Sequence, residues 1–345
     1  MKILITPLYG LGDIIMTFPA IEVLKKSRPD WQVDYFTFNK TAEKILKLNP
    51  YIDNIIYEPI LDYPKLKSVY TVLKKIFKKY DITINFYPSN RKDYNIFSFL
   101  TFSKVRIGHT YLNSNFSQLN FLKNLTIKEK EDLHCIEENI KLLELLDVKT
   151  DWIPKLSIYL PEKFKDKAKS YIKHEDRIKI GIHPGSSKFK NHSYKRWKPE
   201  KFIKVIEYFK DYDFYIFGTK EEEEVVNFIV SKTENSIPIF NLDIIDVASV
   251  ISNMNLFISN DSGIMHLANA LGIPVVAIFG PTNPVWVRPW NEPYRVVRLN
   301  LNCSPCFYYS PKPLECKIED KYKCLNDLDE KLVIDAVKEL IRDVS

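Results

Sequence analysis

Short apolar runs alternate with amphipathic stretches along most of the chain. In the first half, this pattern predicts strands at residues 3–6, 33–38 and 81–86, and helices at residues 13–26, 41–48 and 135–146. A charged, proline-punctuated stretch at residues 148–176 follows, and it is typical of a linker with a lead-in helix. The second half then predicts strands at residues 178–183, 214–217, 256–259 and 274–279, and helices at residues 199–209, 220–230 and 262–271. Such alternation indicates parallel sheets covered by helices on both faces.

At 345 residues, the chain is longer than one compact core usually supports, so two domains are expected. We place a Rossmann-like domain at residues 1–160, a second at residues 161–325, and a C-terminal helix at residues 326–345 that packs back on the N-terminal domain. The expected fold class is α/β, with two doubly wound domains that face each other across a cleft. Open α/β sheets bind ligands at the carboxyl ends of their strands, which would border that cleft.

Composition and charge narrow the classes of function. Hydrophobic residues make up 45% of the chain and aromatic residues 13%, which favours globular domains. A net charge of +6 is too small an excess for a dedicated nucleic-acid binder, but it suits an anionic small-molecule substrate. No apolar run reaches the roughly 18 residues that cross a bilayer. Gly10, Gly12 and Asp13 interrupt the apolar N-terminus, which argues against a signal peptide. We expect a cytoplasmic protein, and a peripheral contact with the inner face of the membrane stays open.

The first candidate site is the turn between the first predicted strand and helix, which contains Gly10, Gly12 and Asp13. Glycines let the backbone turn sharply beside a ligand, and the helix dipole favours an acid in the first turn. The third glycine of a dinucleotide fingerprint is missing, and Asp13 would repel a pyrophosphate. Two interpretations remain at this point, a residue that only caps the helix and a residue that carries chemistry.

Four further candidate sites follow predicted strands of the second half. Asp261, Ser262 and Gly263 lead into a helix whose first amides would form an anion site, with His266 one turn later. Ser186 and Ser187 follow another strand and precede the basic segment that contains Lys195; hydroxyls, amides and a lysine suit a phosphate. A third strand leads to the acidic run at residues 221–224, where one carboxylate could hold a ribose diol. The fourth strand leads to a polar turn at residues 279–284. The alternative for each is a solvated loop or a helix cap.

In this order and spacing, the motifs resemble glycosyltransferase family 9, the ADP-heptose:lipopolysaccharide heptosyltransferases, over nearly the whole chain. The matching residues are Gly12 and Asp13 with Thr17, Pro19 and Ala20; His183, Pro184 and Gly185; Lys195, Arg196 and Trp197; Asn260, Asp261, Ser262 and Gly263 with His266; and Gly280, Pro281 and Thr282. The most specific part is the segment from Asp261 to His266 that leads to the turn at Gly280.

The resemblance implies the GT-B fold, in which the N-terminal domain binds the acceptor and the C-terminal domain the sugar nucleotide. It implies that Asp13 is the general base, Lys195 a phosphate contact and Glu222 the carboxylate that holds the ribose, although Glu221 or Glu223 could replace Glu222. A second implication is that the diphosphate and the sugar are held by Asp261, Ser262, Gly263 and His266. No cofactor is expected for catalysis.

The implied function is inverting transfer of a heptose, or a related sugar, from ADP-heptose to a hydroxyl of a lipopolysaccharide core or another surface glycan. Gly12, Arg91 and Lys92 are candidates for contact with an anionic glycolipid or glycan acceptor. Three alternatives stay open: the same donor chemistry with a protein or different glycan acceptor, a nucleotide-sugar epimerase, and a sugar-nucleotide binder without activity.

Four of the five cysteines lie near the C-terminus, at Cys303, Cys306, Cys316 and Cys324. The first two have the spacing that begins many four-cysteine metal sites, but the second pair is too far apart for a standard zinc ribbon. A structural metal cluster and free thiols in a loop are therefore both compatible with the sequence.

Overall fold

The computed structural model describes residues 1–113, 115–308 and 313–344, which form two compact units. Unit 1 comprises the described residues up to Tyr159, and unit 2 begins at Leu160. Each unit is a six-stranded, wholly parallel sheet with helices, and each is described by itself below.

Unit 1 has six strands and six α-helices. The strands are β1 (Lys2–Ile5), β2 (Gln32–Thr37), β3 (Asn54–Tyr57), β4 (Ile82–Ile84), β5 (Val105–Thr110) and β6 (Leu125–Lys128). The helices are α1 (Leu11–Ile15), α2 (Phe18–Ser27), α3 (Lys40–Leu46), α4 (Lys65–Ile76), α5 (Lys92–Leu100) and α6 (Cys135–Glu144). Short 3₁₀ turns occur at Ile60–Asp62 and Asn120–Leu122.

The sheet of unit 1 has the order β3-β2-β1-β4-β5-β6, so the chain winds outward in both directions from the centre. The register pairs Ile3 with Val33 on one side and with Ile82 on the other. All three side chains are buried, as expected for a parallel strand covered on both faces. The strand order reverses between β1 and β4, and the loops after these two strands therefore border a crevice at the carboxyl edge.

The single helix predicted at residues 13–26 is wrong, because the structure has two helices, α1 and α2, with a break at Met16 and Thr17. The hydroxyl of Thr17 donates to the carbonyl of Ile14 at 2.7 Å, which satisfies one of the carbonyls at the end of α1. Pro19 occupies the second position of α2, where its missing N–H costs nothing. Apolar periodicity alone does not show such a break.

Unit 2 repeats the arrangement with six strands and eight helices among its described residues. The strands are β7 (Lys179–His183), β8 (Asp213–Gly218), β9 (Ser236–Phe240), β10 (Leu256–Asn260), β11 (Val275–Ile278) and β12 (Tyr294–Val297). The helices are α7 (Glu162–Ala168), α8 (Pro199–Tyr208), α9 (Glu223–Val230), α10 (Ile244–Ile251), α11 (Gly263–Ala270), α12 (Pro284–Val287), α13 (Lys323–Asn326) and α14 (Glu330–Val344). 3₁₀ turns occur at Lys169–Tyr171, Phe189–Lys195 and Lys220–Glu222.

The sheet of unit 2 has the order β12-β11-β10-β7-β8-β9, which is the same winding as in unit 1. Here the order reverses between β7 and β10, whose register pairs Ile182 with Ile258. Gly181 of β7 leaves room for the ring of Phe257, since a Cβ at this position would lie 2.3 Å from that ring. The predicted α/β class with two doubly wound parallel sheets is confirmed.

The C-terminal helix α14 packs on the sheet of unit 2. Its buried Val333, Val337 and Leu340 belong to the same apolar core as Trp197 and Phe202. The expectation that this helix also packs back on the N-terminal domain stays a prediction. Among the described helices, none is both long and apolar enough to cross a membrane.

Candidate functional site

In unit 2, the candidate site is built by the loops that follow β7, β8, β10 and β11. These strands are neighbours in one parallel sheet, so their carboxyl ends meet at the same edge. The central pair, β7 and β10, flanks the point where the strand order reverses. The sequence motifs around Ser186, Glu222, Asp261 and Thr282 are thus brought to one edge of one sheet.

Asn260, the last residue of β10, ties two of these loops together. Its amide nitrogen donates to the carbonyl of Pro184 at 2.8 Å, and its amide oxygen accepts from the backbone N–H of Trp197 at 3.0 Å. Because the side chain is fully buried, both bonds are made in a low-dielectric setting where losing either is costly. The Pro184 loop and the segment that carries Lys195 therefore have a fixed position relative to β10.

Glu222 is a buried carboxylate with all of its acceptor positions in use. One oxygen accepts from the N–H of Ser186 at 3.1 Å and from Arg196 at 2.9 Å. The other accepts from the N–H and the hydroxyl of Thr219, both at 3.1 Å, and lies 3.5 Å from His183. Burial alone would raise the pKa of Glu222, but His183, Thr219 and Arg196 together lower it to about 2. A ribose diol would have to replace one of these donors.

Ser186 and Ser187 are close to Glu222 but differ in exposure. Ser186 is buried, its hydroxyl donates to the carbonyl of His192 at 2.8 Å, and Arg196 donates to both its hydroxyl and its carbonyl. Ser187 is exposed, and its hydroxyl accepts from the N–H of Phe189 at 3.1 Å. Of the two predicted nucleotide contacts, Ser187 is the one that faces solvent.

Lys195 and Asp261 form a buried ion pair at the centre of the site. The Lys195 Nζ atom lies 2.8 Å from Oδ2 of Asp261, and the residues are only 7% and 9% exposed. The same ammonium lies 4.8 Å from the centre of the Phe307 ring, a cation–π contact. Burial would raise the pKa of Asp261, but the charge and hydrogen bond of Lys195 lower it, so the carboxyl stays ionised.

Two histidines with an unsatisfied ring nitrogen lie beside this pair. Among the described residues, no partner lies within hydrogen-bond distance of Nδ1 of His266 or Nε2 of His192, although both atoms are buried. Burial lowers the pKa of each imidazole to about 4, with the charge of Lys195 acting in the same direction and that of Asp261 against it. Both rings are therefore neutral at pH 7. Buried polar atoms are nearly always hydrogen-bonded in proteins, so an ordered water molecule or a ligand is expected at these two nitrogens.

We expect the ligand-free protein to lose stability as the pH falls from about 6.5 to about 4, because His266 must then be protonated on unfolding. The unfolded imidazole, with a pKa near 6.5, binds a proton in this window that the folded one does not, so the free energy of unfolding rises with pH. Full titration of His266 is worth about 3 kcal/mol. Urea unfolding of wild type and His266→Gln at several pH values measures this, and equal slopes below pH 6.5 would contradict it.

The helix start after β10 has the form expected of an anion site. Ser262 is the N-cap of α11, with its hydroxyl accepting from the N–H of Met265 at 3.4 Å and lying 3.1 Å from Nδ1 of His183. Gly263 is the first helical residue. The first turn of an eight-residue helix and a buried lysine together favour a negatively charged group.

In unit 1, Asp13 lies in the first turn of α1, at the carboxyl edge where the strand order reverses. The N-cap of α1 is Gly10, and Asp13 is the third helical residue, so Asp13 is not the N-cap itself. A Cβ at Gly10 would lie 2.4 Å from Oδ2 of Asp13, which shows how closely the carboxylate approaches the preceding turn. The buried Tyr94 is also close, because after burial the charge of Asp13 is the next cause that raises the pKa of its phenol.

Arg91 and Lys92, at the start of α5, are the predicted acceptor contacts of unit 1. The Arg91 guanidinium lies 4.3 Å from the centre of the Tyr9 ring and pairs with Asp93 through two nitrogens, at 3.1 and 3.0 Å. The backbone N–H of Tyr9 donates to the hydroxyl of Tyr94 at 3.1 Å. Arg91 is thus joined to the turn that leads to Asp13, whereas Lys92 is exposed. Gly12 is buried within α1.

Three residues of the site were not among the predicted contacts. Arg196 is one of the residues that match the family, but no role was assigned to it, and His192 lies in the same basic segment without a motif of its own. Phe307 comes from the cysteine-rich tail, and its ring packs edge-on against His192 at 5.2 Å as well as against Lys195. Its backbone N–H donates to the carbonyl of Pro281 at 3.0 Å. Only the chain fold brings it there, so no local signal could have identified it.

The four C-terminal cysteines line one cavity of about 150 Å³, together with Pro281 and Tyr322. All are free thiols, and burial raises the pKa of Cys324 to about 11. Over residues 1–113, 115–308 and 313–344, no three His, Cys, Asp or Glu side chains are placed to hold a metal ion. The four thiols therefore line the same cavity without forming a group that could bind one metal ion together.

Comparison with known proteins agrees with this geometry. Residues 69–317 match glycosyltransferase family 9 (heptosyltransferase). The lipooligosaccharide heptosyltransferase 2 of Campylobacter jejuni (serotype O:2) is 30% identical over 352 residues, which cover 99% of both chains. The chain belongs to glycosyltransferase family 9. It is a transferase, and the family resemblance predicted from the sequence is confirmed.

Two solved structures extend the match to the fold of this family 9 chain. The crystal structure of a family 9 glycosyltransferase from Veillonella parvula is 26% identical, with a TM-score of 0.79 over 99% of this chain and 97% of that one. The E. coli heptosyltransferase WaaC, solved with ADP-2-deoxy-2-fluoro heptose, has a TM-score of 0.71 over the whole of both chains. At 16% identity, the latter shows the fold alone.

Proposed function

We propose that this family 9 glycosyltransferase transfers a heptose from ADP-heptose to a hydroxyl of a lipopolysaccharide core, with inversion at the anomeric carbon. The relatives named above support this proposal, since the C. jejuni protein is a lipooligosaccharide heptosyltransferase and WaaC was solved with an ADP-heptose analogue. The observation that carries it is the buried site of unit 2. A lysine, a helix start and two unsatisfied imidazole nitrogens there fit a diphosphate joined to a sugar.

The diphosphate is assigned to Lys195 and the start of α11 at Ser262 and Gly263. In the ligand-free site, the Asp261 carboxylate balances the charge of the buried Lys195 side chain. The leaving phosphate gains negative charge as the glycosidic bond breaks, and fixed donors at this point stabilise the transition state more than the ground state. His266 and Asp261 are assigned to the sugar and the adjoining phosphate, and Ser186, Ser187 and Glu222 to the nucleoside side.

Asp13 is assigned as the general base, with Gly12, Arg91 and Lys92 towards the acceptor. The proton of the acceptor hydroxyl passes to the Asp13 carboxylate while that oxygen forms a bond to the anomeric carbon. The bond from the anomeric carbon to the diphosphate oxygen breaks, and its electron pair leaves with ADP. Attack on the face opposite the leaving group inverts the configuration. We assign no step to a cofactor.

The decisive experiment incubates the full chain with ADP-heptose and a deacylated core oligosaccharide, with and without a chelator. We expect ADP and a product heavier by one heptose, both formed only when acceptor is present, and an inverted anomeric linkage by NMR. A heptose isomer formed without acceptor would establish an epimerase instead. Binding of ADP-heptose without turnover on glycan or protein hydroxyls would identify a binder, and either outcome rejects the proposal.

Lys195→Met is expected to weaken the affinity for ADP-heptose by about tenfold or more, because one charge-assisted contact to phosphate is worth roughly 1.5–3 kcal/mol. Methionine has a similar length, so the change mainly removes the charge. The matched control is Lys188→Met, since Lys188 is exposed in the same segment and lies near Glu221. Calorimetry with ADP-heptose is the measurement, and equal affinities of wild type and Lys195→Met would remove Lys195 from the phosphate site.

The cysteine cavity leaves a separate question about a structural metal. The thiols are of the right kind for zinc or iron, but their present arrangement does not form a tetrahedral site. Elemental analysis of protein purified without added metal distinguishes the alternatives. One equivalent per chain that is lost in Cys316→Ser would establish a metal site, and a folded metal-free protein would establish free thiols.

A further inference from the structure

Helix α4 carries two apolar faces, of which only one is buried. Val72 and Ile76 are covered by the core of unit 1. On a second face, Leu66 and Tyr70 lie one helical turn apart and Phe77 follows directly after the helix, yet Leu66 is 86% exposed, Tyr70 67% and Phe77 40%. A surface helix normally presents polar residues on its outer side. Here the outer side of α4 presents large apolar ones.

The exposed face continues onto the end of α5. The backbone N–H of Lys78 donates to the carbonyl of Thr101 at 2.9 Å, which holds the two helix ends together. The ring of Phe102 then lies 4.8 Å from that of Phe77 and 5.7 Å from that of Phe99, measured between ring centres. Phe99 and Phe102 are both exposed. We call this apolar area the α4 surface, defined by Leu66, Tyr70, Phe77, Phe99 and Phe102.

Positive charge surrounds the α4 surface. Between Asp62 and Asp81 the chain contains six lysines and no acidic residue: Lys65, Lys67, Lys74, Lys75, Lys78 and Lys79. Lys75 forms an ion pair with Glu58, with 2.6 Å between Nζ and the carboxylate. Arg106 adds a further charge over the Phe99 ring, at 5.6 Å from its centre. The surface thus combines exposed aromatic and aliphatic groups with a cationic border.

We propose that the α4 surface is the face by which this chain lies on an anionic lipid bilayer. An interfacial helix with apolar side chains on one face and lysines beside them gains both hydrocarbon burial and attraction to acidic headgroups. A second copy of the chain would place lysines against lysines, which like-charge repulsion opposes. The reason for the chain to bind a bilayer rests on the proposed function, since a glycolipid acceptor is itself held in a bilayer. Its physical basis is the surface alone.

The test is flotation of the full chain with phosphatidylcholine vesicles that contain roughly one third phosphatidylglycerol, compared with pure phosphatidylcholine. We expect binding to the anionic vesicles that weakens with added salt. The double variant Leu66→Glu/Tyr70→Glu and the triple variant Lys65→Gln/Lys67→Gln/Lys74→Gln should each bind at least about tenfold more weakly. Both sets of positions are exposed, so the fold should be retained.

The matched control is Leu332→Glu/Tyr208→Glu, which changes two exposed apolar residues of unit 2 and should bind vesicles like wild type. Equal vesicle binding by the α4 variants and wild type, or binding only by neutral vesicles, would overturn the inference. A wild-type dimer in sedimentation that the Leu66→Glu/Tyr70→Glu variant dissociates would also overturn it, because the α4 surface would then be covered by a second copy of the chain. Sugar transfer to a deacylated, water-soluble acceptor without vesicles should be unchanged in the α4 variants. That assay separates failure of this inference from failure of the proposed function.

Discussion

Replacing Asp13 by asparagine is expected to lower kcat by about 10²- to 10⁴-fold, the range that a positioned general base contributes. Asparagine has the same shape as aspartate but cannot accept the proton of the acceptor hydroxyl. The affinity for ADP-heptose should stay close to wild type, because the donor is assigned to unit 2. Steady-state kinetics and calorimetry on the same preparation provide both numbers. Activity within a few-fold of wild type, with donor binding and fold intact, would exclude Asp13 as the base.

Gly10→Ala tests whether the position of the Asp13 carboxylate matters as well as its charge. The added Cβ would lie 2.4 Å from Oδ2, so the carboxylate must move. Because only the end of a side chain has to shift, the free energy of unfolding should change little, whereas kcat should fall and the affinity for donor should not. The matched control is Gly272→Ala, which has no atom within 4 Å of the new Cβ. The φ of +80° at Gly272 strains that control, but the substitution leaves the turn at Asp13 unchanged.

The sequence was sufficient to predict the candidate residues that follow parallel strands. In such a sheet, a motif after one strand lies beside a motif after its neighbour, so Ser186 and Asp261 were expected at one edge. The sequence could not show that the carboxylate oxygens of Glu222 already accept hydrogen bonds from Ser186, Thr219 and Arg196. Its acidic neighbours Glu221 and Glu223 have the same local signal, and only the fold shows that Glu222 is buried while these two are exposed.

Long-range packing limits what the sequence predicts about the fold. A C-terminal helix was predicted at residues 326–345 and lies at Glu330–Val344, but the core on which it packs depends on where apolar area is still uncovered. Trp197 illustrates this, because its indole N–H donates to the carbonyl of Leu328 at 3.0 Å and thereby joins the motif beside Lys195 to the segment before α14. Phe307 reaches the site for a similar reason. Neither contact follows from periodicity or spacing.

Gly185→Ala is expected to lower the free energy of unfolding by about 3 kcal/mol or more, because it disrupts a buried, hydrogen-bonded carboxylate. A Cβ at this position would lie 1.9 Å from Oε1 and 2.4 Å from Cδ of Glu222. Glu222 cannot simply turn aside, since Ser186, Thr219 and Arg196 hold both of its oxygens. Moving the carboxylate leaves it in the protein with fewer donors, and the loop after β7 should loosen with it. Urea unfolding measures the loss.

A double-mutant cycle with Glu222→Ala shows whether the clash is the cause. Once the carboxylate is gone, the added methyl group has room, so Gly185→Ala should cost no more than about 0.5 kcal/mol in the Glu222→Ala background. The two single changes would then be strongly non-additive. Additive losses would mean that Gly185 is needed for the backbone of its own loop and that the effect of Gly185→Ala does not act through Glu222. Donor affinity should follow the same pattern, because the loop that Glu222 holds also carries Ser186 and Ser187.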